Sequence, residues 1–140
     1  MISACPFCNG ETEKKEGMKK VCKECGFQTF PIKSDTLTVS PHYVKQKLAK
    51  KETILLLDVR RLDEVGMAKI SEARWMPMDE LPKRSKQIDL NQEIVCYCHH
   101  GNRSLYAANF LLQKGFKNVK TMDGGIDRWS REIDQRVARY

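Results

Sequence analysis

Six cysteines are the residues of this chain best suited to chemistry, and their spacing divides them into two groups. Four come early, as two Cys-x-x-Cys pairs separated by thirteen residues: Cys5, Cys8, Cys22 and Cys25. Cys96 and Cys98 come late. The first residues lack the charged and apolar regions of a signal peptide, so a disulfide framework is not expected. We therefore expect metal binding from the early group and catalysis from the late one.

The early cysteines predict a zinc site. Each Cys-x-x-Cys pair can place two thiolates on one metal, and two pairs form the tetrahedral sulfur site that Zn²⁺ prefers. We predict one structural Zn²⁺ per chain, bound by Cys5, Cys8, Cys22 and Cys25. Two redox dithiols are the alternative, disfavoured because neither pair lies at a strand–helix junction. Residues 1–33 contain few apolar side chains, so the metal would supply their folding free energy. This segment resembles a zinc ribbon, a module that docks proteins or RNA.

The two late cysteines lie at the end of an apolar run and not in a Cys-x-x-Cys pair. Residues 94–97 are an apolar run typical of a buried strand, and residues 98–103, the active loop, lead from it into an amphipathic helix. Inward-facing backbone N–H groups and a helix N-terminus would favour a thiolate at Cys98 and bind anions. Gly101 would permit the tight turn, and Arg103 would add a full positive charge. Cys98 is therefore the predicted nucleophile.

The remaining residues of this region leave alternatives open. Protonated His99 or His100 would strengthen anion binding, or both side chains face solvent and only their amides matter. Asn102 either adopts a left-handed conformation or is simply exposed. Cys96, two residues before Cys98 on a strand, lies on the same face. A buried core thiol is expected there rather than a resolving partner for Cys98.

The elements that position these residues alternate along the chain. Strands are predicted at residues 36–40, 53–59, 74–76, 94–97 and 119–122, and helices at 41–51, 62–67, from about 79, at 104–114 and at 126–133. This alternation predicts an α/β fold with a parallel sheet flanked by helices. No apolar run approaches the roughly 18–20 residues of a membrane span, so a cytoplasmic protein is expected. The net charge of +7 is dispersed, which indicates solvated faces rather than a nucleic-acid patch.

Three motifs carry a family resemblance. They are residues 57–60 (Leu-Asp-Val-Arg) with Glu64, the six-residue loop 98–103, and residues 123–129, which contain Gly-Gly and end in Trp129. Residues 36–134 resemble a single-domain rhodanese, and we assign a domain to residues 36–140. At residues 68–70 and 72 the chain has Ala-Lys-Ile and Glu, where the family commonly has Gly-His-Ile and a glycine.

The resemblance implies a sulfurtransferase. Cys98 would accept a sulfane sulfur from a donor such as thiosulfate, release sulfite, and pass the sulfur to cyanide or another thiol. Arg103 and the loop residues His99, His100, Gly101 and Asn102 would bind the donor. Asp58 would orient the loop or pair with an arginine such as Arg60.

Two other functions compete with this interpretation. Phosphatases related to rhodaneses have one more residue in the loop, to fit a larger oxyanion, so six residues favour sulfur. In the other alternative the domain is non-catalytic, or a sulfur carrier, and docks a protein or RNA through the zinc ribbon. The presence of Cys98 and Arg103 argues against an inactive domain.

Overall fold

The computed structural model describes residues 37–51 and 53–140, together with the backbone of three short strands earlier in the chain. These strands are β1 (Thr12–Lys14), β2 (Lys20–Cys22) and β3 (Gln28–Thr29), which form an antiparallel sheet in the order β1-β2-β3. The predicted zinc site, formed by Cys5, Cys8, Cys22 and Cys25, lies outside the described side chains. It therefore stays a prediction.

From residue 37 onward, strands and helices alternate. The strands are β4 (Leu37–Val39), β5 (Ile54–Asp58), β6 (Arg74–Trp75), β7 (Glu93–Tyr97) and β8 (Val119–Met122). The helices are α1 (Pro41–Ala49), α2 (Leu62–Met67), α3 (Leu81–Arg84), α4 (Asn102–Gln113) and α5 (Gly125–Glu132). All five strands are parallel, in the order β4-β8-β7-β5-β6. This confirms the predicted α/β fold with a parallel sheet.

Two helices differ from the sequence-based expectation. The helix expected from about residue 79 is short, because α3 has only four residues and passes into a 3₁₀ turn over Ser85–Gln87. Helix α4 begins at Asn102, two residues earlier than expected. Gly101, with a φ of 114°, lies directly before it, so the last two residues of the active loop are the first two of α4. Among the described residues, no helix is long and apolar enough to cross a membrane.

Two hydrophobic clusters cover the two faces of the sheet. Along β7, Ile94 and Cys96 belong to the cluster that includes residues of α3 and α4, whereas Val95 and Tyr97 belong to the one that includes residues of α1 and α5. The alternation follows from the two-residue period of a strand. Because both faces are covered, β7 is apolar along most of its length. Cys98 continues the α4 face, in the same cluster as Cys96, as predicted.

The register of the sheet brings the predicted site residues to one edge. Strands β5 and β7 pair in parallel with Asp58 opposite Tyr97, so the residues after both strands emerge side by side. The first turn of α5 binds the backbone of the active loop. The N–H groups of Ile126 and Asp127 donate to the carbonyl oxygens of Cys98 and His99, at 2.9 and 3.2 Å.

The close approach of α5 to the loop requires glycine at position 125. Gly125 has a φ of 60°, and a Cβ built on it would overlap the carbonyl oxygens of Cys98 and His99. A side chain here would therefore be strained in its backbone and would push the active loop away from the helix.

We expect Gly125→Ala to lower the free energy of unfolding by about 2 kcal/mol or more, through the positive φ and the steric overlap. Gly66→Ala is the matched control, because Gly66 lies in α2 with no atom within 4 Å of an added Cβ and has no positive φ. That variant should be neutral or stabilised by up to about 1 kcal/mol. Urea unfolding measures both, and equal stability of the two variants would contradict the close packing.

Candidate active site

Cys98 lies at the carboxyl end of β7 with only 1% of its surface exposed. Its Sγ accepts hydrogen bonds from the backbone N–H groups of Gly101, at 3.1 Å, and Ser104, at 3.4 Å. These are inward-facing amides of the kind that the sequence predicts for the loop. Hydrogen bonds donated to sulfur stabilise negative charge on it, and the loop directs two such donors at one buried sulfur.

The Ser104 hydroxyl lies next to this sulfur, and the Thr121 hydroxyl is hydrogen-bonded to that of Ser104. The Ser104 hydroxyl lies 3.6 Å from Cys98 Sγ, donates to the carbonyl of Gly101 at 3.1 Å, and shares a 2.6 Å hydrogen bond with the Thr121 hydroxyl. Neither residue is among those predicted from the sequence. Ser104 follows the loop directly and could have been noticed, whereas Thr121 comes from β8 and is placed by strand pairing with β7.

Arg103 is held by a carboxylate outside the loop. Its guanidinium donates to the two carboxylate oxygens of Glu64, at 2.5 and 2.7 Å. Burial alone would raise the pKa of Glu64, but hydrogen bonds from Arg103 and Tyr140 outweigh it and lower that pKa to about 2. The hydrogen bond to Glu64 is the main cause that raises the pKa of Arg103, and the neighbouring Cys98 adds to this effect. The last residue of the loop is thus tied to α2 by a pair that is charged at neutral pH.

Asp58 and Arg60 form a second, fully buried ion pair. Two guanidinium nitrogens of Arg60 donate to the Asp58 carboxylate at 2.9 and 2.6 Å, and the Tyr97 hydroxyl donates to the same carboxylate at 2.8 Å. Burial opposes the charge on Arg60, but the contacts with Asp58 outweigh it and raise the pKa of Arg60 above its ordinary value. Such a pair is stable only with its hydrogen bonds satisfied.

Tyr140 connects the two ion pairs. Arg60 Nη1 donates to the Tyr140 hydroxyl at 2.9 Å, and that hydroxyl donates to Glu64 Oε2 at 2.9 Å. A continuous polar chain therefore runs from the ends of β5 and β7 to Arg103 at the end of the active loop.

The two loop histidines differ from each other. One of the two sequence-based alternatives placed both histidine side chains in solvent, and His100 is exposed. For His99 that expectation is wrong, because its ring is half-buried and stacks on the ring of Tyr140. Burial, followed by the neighbouring His100, lowers the pKa of His99, so the neutral ring is favoured at neutral pH. Asn102 is exposed and is the first residue of α4, with helical rather than left-handed geometry.

Cys96 has no exposed surface and lies in the core cluster that packs against α4. Burial is the main cause that raises the pKa of its thiol, and Cys98 adds to the effect. A neutral, buried thiol is a poor nucleophile. The placement matches the core role expected for this residue.

A cleft of about 320 Å³ opens beside Arg103. Its walls are mostly apolar, with Leu62, Trp75, Pro77 and Met78 among the lining residues. The Trp75 indole N–H donates to the carbonyl of Arg60 at 2.8 Å, which fixes the ring. Leu62 is 68% exposed at this site. The cleft gives a molecule outside the domain an apolar surface next to the loop.

The lowered pKa of Glu64 makes stability depend on pH. Ionised Glu64 stabilises the fold at neutral pH, and this stabilisation is lost as the pH falls from about 4.5 towards 2. We expect Glu64→Gln to lose about 1–3 kcal/mol at pH 7 and to show a flatter dependence over that acid range. Urea unfolding at several pH values tests this. Glu80→Gln, at a half-exposed position, is the control and should keep the wild-type profile, and an unchanged profile in Glu64→Gln would disprove the argument.

Known proteins share both the sequence and the fold. A sulfurtransferase of Allochromatium vinosum is 36% identical over 88 residues, which cover 63% of this chain and 82% of the relative. YrkF of Bacillus subtilis, whose name describes a sulfur carrier, is 35% identical over 125 residues, covering 89% of this chain and 68% of the relative. The crystal structure of a rhodanese-related protein of Thermoplasma volcanium matches with a TM-score of 0.62 and 28% identity, over 69% of this chain and 93% of that one.

The family model named Rhodanese-like domain matches residues 40–132, which include β5, the active loop and all of α5. The matched range thus contains the site residues described above from Asp58 to Gly125, but not Tyr140. The chain belongs to the rhodanese-like domain family.

Proposed function

We propose that this protein is a sulfurtransferase that carries sulfane sulfur as a persulfide on Cys98 and passes it to a thiophilic acceptor. The observation that supports it most strongly is the pair of backbone N–H groups, from Gly101 and Ser104, directed at Cys98 Sγ. Relatives named as a sulfurtransferase and as a sulfur carrier support the same class of chemistry.

With thiosulfate as donor, the reaction takes two displacements at sulfur. The Cys98 thiolate attacks the outer sulfur of thiosulfate, the S–S bond of the donor breaks, and sulfite leaves with the electron pair. The product is an anionic persulfide, Cys98–S–S⁻. Cyanide, or a thiolate acceptor, then attacks the outer sulfur and regenerates the Cys98 thiolate. No metal, redox partner or net proton transfer is needed for the cyanide reaction.

The residues around Cys98 suit both steps. The loop amides that now meet Sγ would stabilise the negative charge of the thiolate and of the persulfide. Arg103, charged and one-fifth exposed, would attract the anionic donor while Glu64 fixes its orientation. The acceptor would approach through the apolar cleft beside Arg103. The reaction needs a reduced Cys98, which fits the cytoplasmic location expected from the sequence.

A sulfur-carrier role is the second candidate, favoured by the relative whose name describes a carrier. In that case Cys98 would hand its sulfur to a protein or RNA acceptor instead of a small molecule. Residues 1–33 would then dock the acceptor, as zinc ribbons do. The chemistry at Cys98 is the same in both cases, and the acceptor distinguishes them.

Incubation with thiosulfate should add about 32 Da, one sulfur atom, to the peptide that contains Cys98. Cyanide should remove this mass and release thiocyanate. Cys98→Ser should abolish both reactions, whereas Cys96→Ser, at a fully buried position, should keep most of the activity. An unmodified Cys98 peptide after thiosulfate treatment would refute thiosulfate as the donor. Equal loss in the two variants would place Cys96 in the reaction.

We also propose that one structural Zn²⁺ is bound by Cys5, Cys8, Cys22 and Cys25. The support is the spacing of the four cysteines and the antiparallel sheet of β1, β2 and β3, between and after the two pairs. Its test is elemental analysis of protein purified without chelator. We expect about one zinc per chain, loss of the metal in Cys22→Ser, and retention in Cys96→Ser. Markedly less than one zinc in the wild type would contradict the site.

A further inference from the structure

We propose that Tyr140 is a positioning residue for sulfur transfer, because it holds the active loop near both of its ends. The kinetic part of this inference rests on the proposed function. Tyr140 lies outside the residues matched by the family model and outside the three motifs. It nevertheless contacts His99 directly near the start of the loop, and the Glu64 carboxylate connects it to Arg103 at the end of the loop.

The first contact is a ring stack. The ring of Tyr140 lies on the ring of His99, with 4.0 Å between centroids and 11° between planes. His99 in turn lies against His100 at 3.9 Å. The stack lies on the residue that follows Cys98, and the His99 side chain is partly buried. It therefore restricts the rotation of the residue next to the nucleophile.

The second contact is the hydroxyl, which reaches Arg103 through Glu64. Burial is the main cause that raises the pKa of Tyr140 to about 12, so the hydroxyl keeps its proton at neutral pH. It accepts from Arg60 and donates to Glu64 Oε2, each at 2.9 Å. That same oxygen accepts from Arg103 at 2.7 Å. Tyr140 thus fixes the carboxylate that orients the last residue of the loop.

The segment that carries Tyr140 is anchored to α5. After α5 the chain folds back, and the Ser130 hydroxyl donates to the carbonyl of Val137. Arg139 donates to Asp127 at 3.0 Å. Val137 packs against the cluster that includes α5. Because these anchors lie on α5, Tyr140 is held against the loop by the same helix whose first turn binds the loop backbone.

Loss of these contacts should release the loop in two stages. Without the hydroxyl, Glu64 keeps only its other donors, so Arg103 is less firmly oriented towards the anionic donor. Without the whole ring, His99 is also freed, and the N–H groups of Gly101 and Ser104 are less well aligned with Cys98. Tyr140→Phe removes the first contribution and keeps the stack, whereas Tyr140→Ala removes both.

The kinetic test is thiosulfate-dependent thiocyanate formation. For Tyr140→Phe we expect KM for thiosulfate to rise about fivefold with kcat nearly unchanged, as for the loss of one hydrogen bond. For Tyr140→Ala we expect kcat to fall about tenfold as well. Tyr43→Phe is the matched control, because its hydroxyl also donates to a glutamate, Glu93, at 2.7 Å, away from the loop. It should retain wild-type constants. Wild-type constants in Tyr140→Ala would overturn the proposal.

Hydrogen exchange of the full chain tests the same inference without sulfur chemistry. The Gly101 and Ser104 amides should exchange at least about fivefold faster in Tyr140→Ala, with β5 and the rest of α4 unchanged and Tyr43→Phe equal to wild type. Unchanged exchange in the loop, or faster exchange throughout the domain, would overturn the positioning role. If wild-type protein takes no sulfur but the loop exchange responds as expected, the proposed function fails and the positioning role stands.

Discussion

The hydrogen bonds between the first turn of α5 and the backbone of the active loop are the contact on which the site depends. By binding the carbonyl oxygens of Cys98 and His99, the N–H groups of Ile126 and Asp127 fix the peptide planes that follow these two residues. Fixed planes, together with the turn at Gly101, direct the next N–H groups towards Cys98 Sγ. The orientation of the N–H groups that meet Cys98 Sγ thus depends on hydrogen bonds between two backbone segments, the loop and α5. Gly125 is the residue that lets these segments approach.

Two ion pairs between buried or partly buried side chains restrain the site further. Arg60 is fully buried with Asp58, and Glu64 holds Arg103 at the end of the loop. Neither pair is strong evidence of stability by itself, because burial of charge offsets much of the attraction. Their value here is geometric, since each fixes an arginine whose long side chain would otherwise sample many rotamers. Tyr140 joins them into one network that spans the carboxyl ends of β5 and β7.

The fold could be predicted from the sequence because its signals are local. The apolar runs of β5 and β7, the loop glycine and the Gly-Gly before α5 each depend on a few adjacent residues, and α2 and β8 lie where the pattern placed them. The candidate site at Cys98 and its loop followed from the same kind of signal. The contacts of Glu64 with Arg103, of Thr121 with Ser104 and of Tyr140 with His99 could not be predicted, because they form only through tertiary packing. His99 illustrates the difference, since its burial is decided by a residue 41 positions later.

The grip of α5 on the loop also has a consequence for the order of folding. Residues 98 and 99 can make these hydrogen bonds only once residues 126 and 127 have formed the first turn of α5. Contacts of this sequence separation form late, because loop closure must precede them. During synthesis, the backbone of the loop therefore cannot be fixed until the chain has been made beyond residue 127. The surroundings of Cys98 are thus completed only when nearly all of the domain has been made.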